Sequence, residues 1–433
     1  MNFAGTMKVN KQGHLEIGGC DTVELATKFG TPLYILDEDM IRENCLRYLQ
    51  ALHQYYPHGK IVYAGKAFLS LAMARLLDEE GLGLDVVSGG ELYTALQAGF
   101  PASKLYFHGN NKTRDELKYA LQNNTGTIVV DSMQELSELV RLSPLYGSKK
   151  TAVLFRIKPG ITAYTHEFVQ TGQDDSKFGF GLADGSIMDA IQIILKSSHL
   201  ELKGFHCHLG SQIFQLEPFR LAAKIMVNFI ASVREKTGYL ATELDLGGGL
   251  GIRYGQGDTP PSIEAFVKNI ALAVKETAEK RKLPLPRLVL EPGRSIIGEA
   301  GTTLYRIGVI KDIPGIRRYV SIDGGMMDNI RPALYGARYH ALLANKAAQD
   351  ASEKVTIAGK ACESGDILIK DIYLPRVESG DLLAVLSTGA YCYSMASVYN
   401  HNPRPAVIFV RDGEPRIIIR RETYADLIAL NEP

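Results

Sequence analysis

From Lys60 onward, short apolar runs alternate with amphipathic stretches. Ile61-Val62-Tyr63-Ala64 reads as a strand, and Phe68 to Leu77 repeats its apolar residues at helical spacing until Gly81 stops it. Leu84-Asp85-Val86-Val87 precedes a helix over Glu91 to Ala98, closed by Gly99 and Pro101. Lys104-Leu105-Tyr106-Phe107 precedes a helix whose Thr113 and Glu116 have capping-box spacing. Thr127-Ile128-Val129-Val130 precedes another, with Ser132 and Glu135 spaced alike. Four more strands are predicted at Ala152 to Ile157, Leu202 to His206, Glu243 to Leu246 and Arg287 to Leu290, with notable helical stretches over Phe219 to Arg234 and Ile263 to Lys282. Eight strands alternating with helices predict an α/β fold, a (β/α)8 TIM-like barrel over 36–308, with a doubly wound sheet as the alternative.

From Val309 the texture changes. Val309-Ile310, Tyr319 to Ile322, Val355 to Ile357, Leu382 to Val385, Ala406 to Val410 and Arg416 to Ile419 are short β-like runs with few helices between them. They predict a second, mostly antiparallel β domain. Leu15-Glu16-Ile17 is expected to join it, so that 1–35 and 309–433 make one discontinuous β-rich domain.

A chain of 433 residues is long enough for two or three domains at about 150 residues each, or for fewer if one is a barrel of about 250. Lys and Arg number 48, as do Asp and Glu, so the net charge is zero. That balance argues against a general nucleic-acid or anionic-membrane surface. No apolar run approaches the roughly 18 residues of a membrane span, and Met1 to Gly19 lacks a signal-peptide pattern. Five scattered cysteines with no CxxC pair argue against a disulfide framework or a zinc knuckle. The expectation is a cytoplasmic protein that acts on a small molecule and partners neither nucleic acid nor membrane.

The chemistry is suggested by where polar residues fall. The predicted barrel strands end at Lys66, Asp85, His108, Asp131, Arg156, His208, Gly247 to Gly249, and Glu291, and barrel active sites are built at those ends. Lys66, where an apolar strand stops, is expected to be enclosed enough to lose hydration and serve as a nucleophile; a solvated lysine is the competing assignment. Lys158, Lys177 and Lys360 are rivals in loop-like stretches. Gly247-Gly248-Gly249-Leu250-Gly251 lets backbone N–H groups approach a phosphate, and Ile252 stands where a dinucleotide fingerprint needs glycine, so a monophosphate cradle is favoured over a Rossmann turn. Glu291-Pro292-Gly293-Arg294 follows the eighth strand, where barrels recurrently hold phosphate. His206 and His208 share a strand face and could bind metal, but no third and fourth ligand is evident, and one ring could lie against a planar cofactor instead. The expectation is therefore no metal. Cys362, in Cys362-Glu363-Ser364-Gly365-Asp366, sits beside acidic residues that disfavour a thiolate, which suits it to giving a proton rather than attacking; an inert buried thiol is the alternative.

Taken in order, Tyr63-Ala64-Gly65-Lys66-Ala67, Phe205-His206-Cys207-His208-Leu209-Gly210-Ser211-Gln212, Gly247-Gly248-Gly249, Glu291-Pro292-Gly293-Arg294 and Cys362 to Asp366 resemble the pyridoxal-phosphate decarboxylases with an alanine-racemase-like barrel. Asp323-Gly324-Gly325-Met326 and Asp328-Asn329-Ile330-Arg331-Pro332-Ala333-Leu334-Tyr335-Gly336-Ala337 sharpen the match, which extends from Thr31-Pro32-Leu33-Tyr34 to Arg420-Arg421-Glu422-Thr423-Tyr424. None of these positions departs from the family pattern.

The resemblance implies the cofactor pyridoxal 5'-phosphate, covalently carried by Lys66. It implies that His208 stacks on the ring, that Ser211, Gly247, Gly248, Gly249, Gly293 and Arg294 hold the phosphate, that Tyr391 also reaches the cofactor, and that Glu291 pairs with the ring nitrogen. A carboxylate there keeps the nitrogen protonated and the ring a better electron sink, whereas racemases of this fold generally place a cation there. Cys362 would come from a second subunit, making a homodimer with shared sites, and would protonate the carbanion. The implied reaction is decarboxylation of meso-2,6-diaminopimelate to L-lysine and CO2, the last step of lysine biosynthesis. Arg294, Arg331 and Tyr335 would take the distal carboxylate and Glu363 the distal amine, with Tyr391 also at the substrate. Enzymes acting on ornithine or lysine typically have Asp where Glu363 stands. The alternatives are another substrate (ornithine, arginine or carboxynorspermidine), a metal-dependent barrel hydrolase, and a catalytically dead relative, against which Lys66 and Cys362 both argue.

Overall fold

The computed structural model describes residues 3–161, 175–182, 185–255 and 257–432; the few other positions of the two expected domains lie outside the described residues. The chain divides into two compact units, one of Cys45–Gly251 and Pro260–Ser295, the other of Met1–Asn44, Ile252–Thr259 and Ile296–Pro433.

In the first unit eight parallel strands close on themselves: β1 (Gly59–Ala64), β2 (Gly83–Val86), β3 (Leu105–Phe107), β4 (Thr127–Val130), β5 (Thr151–Lys158), β6 (Leu200–His206), β7 (Glu243–Asp245) and β8 (Arg287–Leu290). β8 pairs with β1 and β4 with β5, so among the described residues the barrel has no open edge. Every residue of β2, β3, β4 and β7 is buried. Strands covered on both faces need no polar alternation, which is why β3 and β4 appear in the sequence as largely apolar runs, while β2 and β7 bury Asp85, Glu243 and Asp245. Val62, Tyr106, Val129, Leu154 and Val289, from five strands around the ring, pack into one cluster, and residues so distributed meet only in the lumen.

Helices follow the strands and start where hydroxyls cap them. Ser88, Thr113, Ser132 and Ser262 each accept from the backbone N–H three residues on. The reciprocal box at Thr113 and Glu116 forms as expected. At Ser132 only half of it does: Glu135 turns instead to the Asp131 N–H (3.0 Å) and the Lys112 ammonium (2.7 Å).

The second unit contains a nine-stranded, mostly antiparallel sheet. Its path runs Ile367–Leu374, Glu353–Ala358, Arg317–Ile322, Gly301–Ile313, Leu33–Asp37, Ala406–Arg411 and Glu414–Ile419, with Leu382–Leu386 joining Gly301–Ile313 to Ala341–Leu343. Leu15–Ile17 lies in a separate three-stranded sheet whose Leu15 and Ile17 share a core cluster with Leu33, Ile35, Leu304 and Ile408. Sequence reading missed Leu33–Asp37, Ala341–Leu343 and Ile367–Leu374. The division also falls inside the expected 36–308. Gly301–Ile313 pairs antiparallel with Leu33–Asp37 and Leu382–Leu386, which ties its first half to the β-rich unit.

Candidate active site

In the barrel unit the functional side chains stand at the C-terminal strand ends. β1 passes into a single 3-10 turn, Gly65–Ala67, that carries Lys66. A Cβ on Gly65 would lie 2.7 Å from the Asp85 carbonyl oxygen, so this exit packs hard against β2. The expected enclosure of Lys66 is not found: its side chain is exposed, because the turn lifts it onto the rim. Its positive charge still reaches inward, opposing ionisation of His208 and favouring that of Asp85 and Glu91. Of its rivals, Lys158 is not in a loop but ends β5.

The glycines after β7 form a close-fitting cradle. Gly247 has φ +65° and donates its N–H to Asp245 Oδ1 at 2.8 Å. A Cβ on Gly248 would meet the Glu291 carbonyl oxygen at 2.0 Å, and one on Gly249 the Gly210 oxygen at 2.4 Å, so no side chain fits. The Gly248 N–H donates to His208 Nδ1 at 3.3 Å. That bond needs a lone pair on Nδ1, which fits a neutral imidazole, and burial with the nearby Lys66 and Arg156 charges holds the His208 pKa well below its ordinary value. Buried Arg294 donates from Nε and Nη2 to Ser211 Oγ at 3.1 and 3.0 Å. His208, Ser211, Gly247 to Gly249, Gly293 and Arg294 are thus gathered over the ends of β6, β7 and β8.

Beneath them lies a buried polar knot that sequence reading only partly found. Glu291 Oε1 stands 2.7 Å from His108 Nε2, and Glu291 Oε2 accepts from His206 Nε2 at 3.2 Å. Asp245 is beside them, and Asp85 Oδ1 lies 3.8 Å from His108 Nε2. Burial alone would raise the Glu291 pKa, but the two imidazoles outweigh it and hold the carboxyl well below its usual range. Burial lowers the His108 pKa, yet Asp85 and Glu291 more than offset this and the net shift is upward. Burial takes His206 down to about 4 and pushes Asp245 well up, with Glu291 adding to the latter. The knot is therefore a charged Glu291 and His108 flanked by neutral His206 and Asp245.

Two points left open for the histidines follow from this. His206 and His208 do not act as a pair: one turns to Glu291, the other to Gly248. The partners that the sequence did not reveal for His206 are present, since His108, His206, Asp245 and Glu291 bring ligand-type atoms within 4.8 Å of one another. However, a nitrogen and an oxygen 2.7 Å apart are closer than the roughly 3.3 Å between two ligands on a tetrahedral zinc ion. They are paired with each other.

The β-rich unit holds the remaining candidates. Cys362 is exposed, not buried, and its N–H donates to Asn400 Oδ1 at 2.8 Å. Glu363 is exposed beside it. Their loop is shaped by buried Asp366, which accepts from Met326 N–H at 2.7 Å and Ala361 N–H at 2.9 Å. Buried Arg331 donates from Nη1 to the Tyr254 hydroxyl at 3.0 Å and the Tyr339 hydroxyl at 2.6 Å, and Tyr339 meets Cys392 Sγ at 3.3 Å. Tyr335 is half-buried at the end of the helix Arg331–Tyr335. Tyr391 has φ +60°, a left-handed conformation that a bulky side chain adopts only where its surroundings impose it. Asp366 was read only as part of the Cys362 motif, with no role of its own; Tyr254 was missed because its partner Arg331 is distant in sequence, and Tyr339 because nothing marks its contact with Arg331 until the chain folds back.

Comparison with known proteins agrees along the whole chain. Residues 39–298 match the family model "Pyridoxal-dependent decarboxylase, pyridoxal binding domain". The chain is 51% identical over 433 residues to a diaminopimelate decarboxylase of Bacillus subtilis (strain 168), covering 100% of this chain and 98% of that protein. It superposes with a TM-score of 0.90 on a crystal structure of M. jannaschii diaminopimelate decarboxylase in complex with L-lysine, at 38% identity over 99% of this chain and 98% of the other. A Helicobacter pylori diaminopimelate decarboxylase structure, also complexed with L-lysine, gives a TM-score of 0.86 at 32% identity, covering 94% of this chain and 98% of the other.

Proposed function

This chain belongs to the pyridoxal-dependent decarboxylases, and within them to the diaminopimelate decarboxylases, and from that membership we propose that its barrel unit holds the cofactor while its β-rich unit recognises the substrate. The cofactor is pyridoxal phosphate and the activity is decarboxylation of diaminopimelate, a reaction of lysine biosynthesis. Of the finer terms, L-lysine as product is supported by the L-lysine bound in two of the related structures, and the meso isomer as substrate is part of the proposal.

The barrel residues fit the cofactor. Gly247, Gly248 and Gly249 let this turn pack directly on the backbone after β6 and β8, where any Cβ would collide, and with Ser211, Gly293 and Arg294 they border the phosphate. The observation that carries the reading is the charged Glu291 carboxylate beneath this cradle. When bound, pyridoxal phosphate supplies the electron sink for the pair left behind as CO2 departs. Lys66 is the covalent attachment point, free on the rim. His208, neutral and fixed by the Gly248 N–H, offers a flat face to the ring. Glu291 holds a proton on the ring nitrogen. Arg294, Arg331 and Tyr335 take the distal carboxylate, Glu363 takes the distal amine, and Tyr391 borders both cofactor and substrate. Cys362 delivers a proton to the α-carbon.

We extend the proposal to a homodimer working in the cytoplasm, each site completed by Cys362 of the partner subunit. Among the described residues no helix is long and apolar enough to cross a membrane. Mixing inactive Lys66→Ala and Cys362→Ala proteins tests the shared site. Half the dimers then carry one intact site, so about a quarter of the wild-type rate should return; no recovery refutes it. Borohydride trapping with peptide mapping should place the cofactor on Lys66, and preference for ornithine, arginine or carboxynorspermidine over diaminopimelate would reject the substrate.

A further inference from the structure

Glu291 is not simply a carboxylate near the base of a cradle. Its Oε2 accepts a hydrogen bond from His206 Nε2 at 3.2 Å, while its Oε1 lies 2.7 Å from His108 Nε2 as an ion pair with no hydrogen bond between those two atoms. The two imidazoles come from the ends of different strands, β3 and β6, and meet edge to face with centroids 4.8 Å apart. All four groups of the knot are buried: His108 4%, His206 1%, Asp245 0% and Glu291 6% exposed. Asp85, Asp245, Glu243, Arg156 and His208 are other ionisable groups felt here, and none is on the strand that carries Glu291. A carboxylate could be kept in place by one partner. Here a directional hydrogen bond at one oxygen is joined by an ion pair at the other.

We propose that His108 and His206 are positioning residues that clamp the Glu291 carboxylate, His206 by a hydrogen bond to Oε2 and His108 by ion pairing at Oε1, so that the proton shared between Glu291 and the cofactor's ring nitrogen stays on the nitrogen. The inference rests on the assignment of Glu291 to that nitrogen. Its physical basis is competition between two bases for one proton. A hydrogen-bond donor and a neighbouring positive charge each make a carboxylate a weaker base. With both imidazoles in place, Glu291 accepts a hydrogen bond from the protonated ring and does not remove the proton. Without them its basicity rises, the proton crosses to the carboxylate, and the ring becomes a neutral, poorer electron sink. His108 also carries positive charge, which alone would disfavour a protonated ring. It lies in contact with Glu291, however, so its effect on the carboxylate dominates. His206 is neutral, so it can only donate from Nε2 if its Nδ1 bears no proton, and Nδ1 has no hydrogen-bond partner within the described residues. That tautomer is a specific consequence of the clamp.

The test uses holoenzyme carrying pyridoxal phosphate labelled with 15N in the ring, whose chemical shift reports protonation without turnover. In His206→Leu and His108→Gln the ring signal should move toward that of the unprotonated free cofactor. Turnover should fall about 10- to 100-fold, as for other partners that orient a primary ligand, with KM changed far less than kcat. His206→Gln retains an N–H donor and should recover much of both. If the ring signal stays put in His206→Leu and His108→Gln, or if His206→Gln is as damaged as His206→Leu, the clamp is wrong and the histidines only pack. Glu291→Gln separates the two readings: if it moves the ring signal and the histidine variants do not, only the clamp fails, whereas if it leaves the signal unmoved the Glu291 assignment fails. Should the variants not fold, 15N-histidine spectra of the unsubstituted holoenzyme decide. His206 should be a neutral Nε2–H tautomer and His108 doubly protonated, and a His206 proton on Nδ1 overturns the proposal.

Discussion

Gly248→Ala is a one-carbon test of the phosphate cradle. The added Cβ would stand 2.0 Å from the Glu291 carbonyl oxygen, 2.8 Å from its carbon and 3.4 Å from Pro292 Cα. The first distance falls short of ordinary contact by about 1.4 Å. All three obstacles are backbone atoms, so no side chain can rotate out of the way. The Glu291 N–H is itself bonded to the Gly247 carbonyl at 2.8 Å, so the two exits, after β7 and after β8, cannot part without breaking that bond. Overpacking of this kind typically costs about 1–3 kcal/mol, equivalent to about 5- to 150-fold in an equilibrium constant. If the loops yield, the cost appears as weaker cofactor binding; if they hold, it appears as lost stability of the apoprotein. Titrating apoprotein with pyridoxal phosphate by absorbance, alongside urea unfolding, reads both. Gly257→Ala is the control, since a Cβ there meets nothing within 4 Å, and it should leave both quantities unchanged. A Gly248→Ala protein that binds the cofactor within twofold of wild type and unfolds at the same urea concentration would show that the cradle is not as tight as described.

Other consequences follow from buried polar groups. Lys112 Nζ is buried and donates to Gly109 O (2.8 Å), Val129 O (2.7 Å) and Glu135 Oε1 (2.7 Å), so Lys112→Met strands a buried carboxylate and should cost about 3–5 kcal/mol in urea unfolding; a loss under about 1 kcal/mol would contradict this. Asp366→Ala removes the two acceptors that shape the Cys362 loop, and should lower turnover about 100-fold through misplacement with cofactor affinity unchanged; equal turnover would detach Asp366 from the site. Burial, with Asp323 and Asp366 adding to it, pushes Asp328 up to about 7. From the unfolded value of about 3.9 to about 7 the folded chain keeps a proton that the unfolded chain has lost, so this group's contribution to stability declines as pH rises through that window and is level above it. Asp328→Asn should narrow the difference in unfolding free energy measured at the two ends of the window, and an unaltered difference would refute the assignment.

What could be read from the sequence depended on how local its physical cause was. All eight barrel strands were legible because each carries a short, largely buried apolar stretch within a regular alternation with helices, and their polar ends marked the rim. Leu33–Asp37 is just as buried, but no repeat of alternating elements surrounds it, so nothing in its neighbourhood identified it as a strand. Gly301–Ile313 was recognised only at Val309-Ile310 because Thr302 and Thr303, both fully buried, look like polar positions until the sheet around them is known. Lys66 does follow the end of β1, but its exposure was not foreseen, since a single turn after β1 decides which way it faces. The gap was widest in the knot around Glu291. His108, His206 and Asp245 were visible as residues at or near strand ends, yet that two imidazoles converge on one carboxylate depends on closure of the barrel, which brings the ends of β3, β6 and β8 together across long stretches of chain. Strand-end polarity reveals that a barrel has a functional rim, whereas the charge each group carries there is set by neighbours that only the closed ring supplies. His206 and His208 demonstrate this most directly: two residues apart on the chain, they are held by different partners, one a carboxylate at the end of β8 and the other a backbone amide after β7.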